Sequence, residues 1–408
     1  MPNAARINLS VRGKGEAARS DDATVSSDNR ALNVIRSAAA LLVVLGHVRI
    51  LFFEDYSNAS HYSGSALLYS VTSLGSEAVI VFFVLSGYWV GGGALSRLRR
   101  GTFTWRSYSM GRLTRLWLVL VPALVLTLIV DQAGRISFSG SDIYAKTSLY
   151  AGVPSTISYS PATFLGNLLF VQSIHVSEYG LNKPLWSLAY EFWYYLLFPA
   201  ALMLVWKGIS MWLRVAGGAV LVLGAAIAGP TVLLLFPAWL VGAVVAAYKQ
   251  PIARVIMGLR PGTLGTLRCI GALGTLAAMV FAHEVVLPSR LGAWIISLAA
   301  GCMLCFFVSD VAWRGRPGRV LSAISSTAHF SYSLYAIHMP IVAILAAAFV
   351  PEFSRRWPLD VWHAGIALGI VAVLAAISFT FARFTEQRTD AVRTWIRVRT
   401  GKRRTTSI

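Results

Sequence analysis

Apolar runs of about twenty residues recur along this chain from residue 31 to residue 384. Wound as an α-helix, such a run crosses a hydrocarbon core about 30 Å thick. Inside lipid every backbone amide must be paired within the protein, so only helices and closed barrels are stable there. The sequence lacks the alternating ten-residue segments of a barrel. The fold class is therefore all-α, a polytopic helical membrane protein of about ten transmembrane helices. Spans are expected near 31–53, 66–90, 112–131, 185–206, 213–229, 231–249, 268–287, 292–311, 329–350 and 361–384. Charged residues make up only 13%, against about a quarter in soluble domains. That excludes a water-facing globule.

The net charge of +19 is explained by topology rather than by nucleic acid. With the N-terminus inside, the inner segments hold 27 Lys and Arg and the outer ones 6, the other three lying within spans. This positive-inside bias puts both termini in the cytoplasm and the long 132–184 loop outside. Residues 1–30 read as a disordered cytoplasmic tail, and they lack the apolar region and cleavage site of a signal peptide. Residues 31–385 form the membrane domain. Residues 386–408 read as a basic, solvated cytoplasmic tail that can touch anionic headgroups. The apolar piece 164–174 is too short to span, so it lies at the interface or re-enters. Cys302-x-x-Cys305 sits in an apolar run with no His near it in sequence, which is packing rather than metal binding.

Ionisable residues inside lipid are costly and mark sites or pathways. Span one carries two, Arg36 and His47. Eleven steps of about 100° bring them back to one helical face, roughly 16 Å apart along the axis. Counting inward from the cytoplasmic ends places His47, Glu77 and Glu191 at similar depth. Arg36, Arg112 and Arg115 fall in a shallower layer, and His338 lies between. A donor with a polyanionic head could anchor its phosphates on Arg36, Arg112 and Arg115, because the guanidinium fork donates bidentate, permanently charged hydrogen bonds. The arm of acyl-coenzyme A is comparable in length to the Arg36–His47 separation. His47 could then act as general base on an acceptor hydroxyl, oriented by Glu77 or Glu191.

Each residue also has a structural reading. Arg36 can snorkel to the membrane edge, and His47 can serve as a helix–helix hydrogen-bond partner. Glu191 can pair with Trp186 or Ser187, and Arg112 and Arg115 can anchor the topology. Gly91–Gly93 reads better as a helix breaker than as a phosphate cradle.

Four stretches resemble the polytopic membrane acyltransferases of acyltransferase family 3. They are Arg36-x10-His47, VFFVLSGYWV (81–90) with Ser86, RLTRLW (112–117), and LWSLAYEFWYYLLFP (185–199) with Trp186 and Glu191. SYSLYAIHMPI (331–341), with His338, is a late companion. Members of that family acylate bacterial surface polysaccharides, Nod factors and macrolides. The resemblance implies acetyl-CoA or another acyl-CoA as donor and a glycan or lipid-linked glycan as acceptor. It also implies a multi-pass protein of the bacterial inner membrane. Arg36 and His47 correspond to residues the family regards as essential, Arg112 and Arg115 to its donor-side motif, and Glu191 to its Trp-Ser-Leu-x-x-Glu acid. Leu118 stands where the family often has Pro, and Gly111 where a basic residue is common. With about 25 residues after the last span, transfer is expected within the membrane domain or with a separate partner protein. Acylation of a small metabolite such as a macrolide is an alternative. A transporter is another, which internal repeats would favour; none is evident between the two halves.

Overall fold

The computed structural model describes residues 30–58, 64–145, 157–285, 289–308, 324 and 326–401. The expected tail 1–30 lies, apart from Arg30, outside them. Among the described residues nine helices are long and apolar enough to cross a membrane. In chain order the main elements are α1 (Arg30–Phe52), α2 (Ser65–Thr72), α3 (Gly75–Arg99), α4 (Trp105–Ser137), α5 (Pro161–Leu168) and α6 (Trp186–Val205). They continue with α7 (Met211–Ala247), α8 (Pro261–Glu284), α9 (Ser289–Phe307), α10 (Ser331–Phe349), α11 (Val361–Phe384) and α12 (Thr389–Gly401).

Two of the expected spans, 213–229 and 231–249, are the two arms of α7. Its 37 residues break at Gly229, whose φ of 75° and ψ of 173° lie outside the helical region. Glycine reaches positive φ without a Cβ clash, and Pro230 then supplies no amide to continue the ladder. Counted as two arms, this hairpin brings the crossings among the described residues to about ten.

The second span departs from expectation. Sequence hydropathy runs on from residue 66 to 90, but the chain forms the short α2, turns at Ser73–Leu74, and crosses as α3 from Gly75 to Arg99. Nor does Gly91–Gly93 end the helix. A π-helical turn at Gly87–Gly91 carries it on to Arg99. The reason is packing against the second arm of α7. A Cβ on Gly87 would fall 1.9 Å from the Trp239 carbonyl oxygen, and one on Gly242 1.8 Å from that of Val84. The two backbones are in contact, as small residues allow between membrane helices. Gly242→Ala is expected to cost at least about 1–3 kcal/mol through overpacking, measured as a lost or downshifted melting transition in detergent. Gly93→Ala, where a Cβ meets nothing within 4 Å, should leave that transition in place.

At the centre stands α10, buried along most of its length and packed against α1, α4 and α11. A second apolar core surrounds Trp239 and Tyr194, where α3, α6 and α7 meet. Of the C-terminal segment 386–408, residues 402–408 lie outside the described residues. After a short turn at Glu386–Arg388, α12 folds back against α4.

Candidate active site

His47, on α1, meets His338, on α10. The rings lie 5.0 Å apart, centre to centre. His338 is fully buried. Its Nδ1 lies 2.9 Å from the Tyr335 carbonyl oxygen and 3.1 Å from that of Leu334. His47 Nδ1 lies 2.8 Å from the Val43 carbonyl oxygen. A carbonyl only accepts, so in both rings Nδ1 carries the proton. His338 Nε2 is then a bare acceptor, 3.2 Å from His47 Nδ1. The Nδ1–H of His47 is thus shared between Val43 and His338. Its Nε2 keeps its lone pair and makes no protein hydrogen bond among the described residues. A base held through one nitrogen and free at the other is the arrangement general-base catalysis requires. Where an acidic orienting partner for His47 was expected, an imidazole stands instead.

Glu191 belongs to a different cluster. Its carboxylate accepts from Ser86, 2.6 Å away, and from the Tyr195 hydroxyl. Ser86 in turn accepts from the Trp239 indole at 3.1 Å. Trp186 is not a Glu191 partner; it packs edge-on against Tyr190 and Phe83. Ser187 meets the Tyr335 hydroxyl at 2.7 Å. Since the Tyr335 ring sits 5.9 Å from that of His338, the start of α6 is tied directly to the histidine pair.

Glu77 lies in the first turn of α3, two residues after Gly75, which packs on α1 at Val43. Its side chain serves another contact than His47. It pairs with His283 of α8 at 3.2 Å and accepts from Ser76 at 3.0 Å. Helical depth fixes the level of a residue and leaves its direction open. Glu77→Gln is expected to change kcat by less than about threefold, the scale of an exposed ion pair. A hundredfold loss in a transfer assay would put Glu77 back in the chemistry.

Towards the end of the bundle where Arg36 lies, the site turns basic. The Arg36 guanidinium donates to the Ala328 carbonyl and lies over the Trp89 ring, 5.4 Å from its centre. Arg112 lies over the Tyr108 ring at 5.9 Å. Arg115 interacts electrostatically with Glu386, Glu191, Tyr195 and Tyr332. It therefore links the Glu191 cluster to the arginine layer. The Nε atoms of Arg36 and Arg112 are buried without a hydrogen-bond partner. Buried guanidinium nitrogens left unpaired are costly, and an anionic ligand would satisfy them.

Several participants were not legible in the sequence. Glu386 accepts from both the amide and the hydroxyl of Ser333, at 3.2 and 3.1 Å, and its charge answers Arg115 and Arg36. A carboxylate at the head of an otherwise basic segment, with Asp390 following, was the available signal. At the opposite end, fully buried Asp131 accepts from the Leu181 amide at 2.8 Å and the Tyr159 hydroxyl at 3.1 Å. Burial and then the Asp131 charge push the Tyr159 phenol well above its ordinary range, so it stays a donor. Asn182 donates to Thr127 and to the Ala336 carbonyl. These bonds fix the segment before α6 against α4 and α10, next to the histidines.

Comparison with known proteins names the family. A profile of the acyltransferase domain matches residues 29–381. The chain belongs to membrane acyltransferase family 3. It is also similar to the acyltransferase MdmB of Streptomyces mycarofaciens, 27% identical over 373 residues that cover 84% of this chain and 86% of that protein. No solved structure matches it. As a member of this acyltransferase family the chain is a transferase enzyme, and its apolar helices make it a multi-pass membrane protein. The match spans the histidine pair, the Glu191 cluster and Arg36, Arg112 and Arg115; Glu386 and α12 lie beyond it.

Proposed function

We propose that the chain is an O-acyltransferase of the bacterial inner membrane. It moves an acetyl group from acetyl-CoA to a hydroxyl of a carbohydrate or lipid-linked glycan. The observation that carries this reading is an oriented imidazole at one level and, about 16 Å away on the same helix, Arg36, which like Arg112 of α4 has a buried Nε without a hydrogen-bond partner.

In this reading the donor's phosphates lie on Arg36, Arg112 and Arg115, and its arm runs along α1 to His47. The acceptor hydroxyl approaches Nε2 of His47. As the oxygen attacks the thioester carbonyl, Nε2 takes its proton, and the new positive charge is shared with His338 through Nδ1–H. Collapse of the tetrahedral adduct breaks the C–S bond. The proton then passes from Nε2 to the departing thiolate, leaving the O-acyl ester, CoA and a neutral His47. With both termini cytoplasmic, the arginine layer faces the cytoplasmic pool of acyl-CoA and the segment before α6 faces outward, where the acceptor would enter.

The test is release of CoA from acetyl-CoA by purified protein in nanodiscs, with and without candidate glycan acceptors. Slow release alone and faster release with an acceptor are expected. Absence of both release and acetyl-CoA binding would sink the reading and bring transport forward.

A further inference from the structure

The docked C-terminal helix α12 has no part in the chemistry above, yet it brings another arginine to the basic layer. Arg393 donates to the Gly111 carbonyl on α4 and, at 3.1 Å, to Asp390. Its Nε is buried with no hydrogen-bond partner, as is that of Arg112 one residue beyond Gly111. The Arg393 charge repels those of Arg112, Arg115 and Arg397. Folding thus brings like charges together and leaves donors unused, which costs energy unless an anion joins them. Arg112 lies one helical turn from Arg115 on α4, its charge answered by Tyr108 and Tyr195, and Arg393 sits beside it. Arg115 interacts with both this pair and Arg36, so the pair lies beyond Arg115 from Arg36, the arginine that shares α1 with His47.

We propose that α12 is a wall of the donor site, and that Arg393, with Arg112, binds the outermost phosphate of the acyl-CoA nucleotide, its 3′-monophosphate. The inference rests on the acyl-CoA reading above. The chemistry recognised is a phosphate monoester of about −1.5 to −2 charge, matched by guanidinium forks. The 3′-phosphate sits on the nucleotide, at the far end from the thioester, so geometry and ligand agree. Glu386 holds the root of α12 by its bonds to Ser333, and Arg393 holds its middle to Gly111.

A lipid headgroup offers a similar phosphate, so the test separates the two. Full-length protein in phosphatidylcholine nanodiscs is assayed with acetyl-CoA and with acetyl-dephospho-CoA, which lacks only the 3′-phosphate. The variant is Arg393→Gln, whose amide can still donate to Gly111. KM for acetyl-CoA should rise about 10-fold, the loss of one charge-assisted contact, while KM for acetyl-dephospho-CoA moves by less than about twofold. Arg393→Lys should recover part of the loss. A general packing defect would shift both substrates together, and that result overturns the proposal. Unchanged KM for both, with loss of a phosphatidylglycerol-dependent rise in Tm, would overturn it in favour of a headgroup. A wild type that turns over neither thioester would instead refute the acyl-CoA reading itself.

Discussion

Acetyl transfer by His47→Ala is expected to fall by about 10²–10⁴-fold, the usual contribution of a positioned general base, while the protein remains folded and binds acetyl-CoA within a few-fold of wild type. The expectation rests on the free Nε2 and on the fixing of Nδ1 by the Val43 carbonyl and His338. His338→Ala should show a smaller loss, about 10- to 100-fold, as when the partner that orients a working imidazole is removed. That loss should fall in kcat rather than in KM, because His338 reaches the reacting atoms only through His47. Single-turnover transfer of radiolabelled acetyl separates the two variants. Full transfer by His47→Ala would assign the base elsewhere.

Loss of Arg36 should act on the donor instead. Arg36→Ala is expected to weaken acetyl-CoA binding about 100-fold, as for truncation of one partner in a buried charged pair, with kcat at saturation much less affected. The Arg36 guanidinium is held by the Ala328 carbonyl and the Trp89 face, and its buried Nε has no protein partner. Arg36→Lys keeps the charge but loses the planar fork, so it should restore only part of the affinity. Full restoration, measured by equilibrium binding of acetyl-CoA, would rule out bidentate phosphate recognition. Because Arg36 also ties α1 to the residue Ala328, a thermal melt of each variant is the necessary companion measurement.

The span pattern was legible because hydropathy over twenty residues reports directly on lipid. Its errors fell where local composition competes with packing. The run 66–90 is mostly apolar, yet the crossing starts at Gly75 and passes through Gly91–Gly93, since Gly75 lets α3 lie against α1 and Gly91 and Gly92 let it lie against α7. The α7 hairpin was legible because Gly229 and Pro230 act locally. Depth along a helix is also a sequence quantity, but the direction of Glu77, towards His283, is not.

What the sequence determined by itself is the membrane class, the approximate crossings, and the common face of Arg36 and His47. All of these follow from the 1.5 Å rise and 100° turn of a single helix. Tertiary structure alone decided who stands opposite them. His338 reaches His47 from 291 positions away, and Glu386 and Arg393 enter the basic layer because α12 folds back against α4. The order and rotation of packed helices set such contacts, and they depend on side-chain fit across the whole bundle. No periodicity within one segment encodes them.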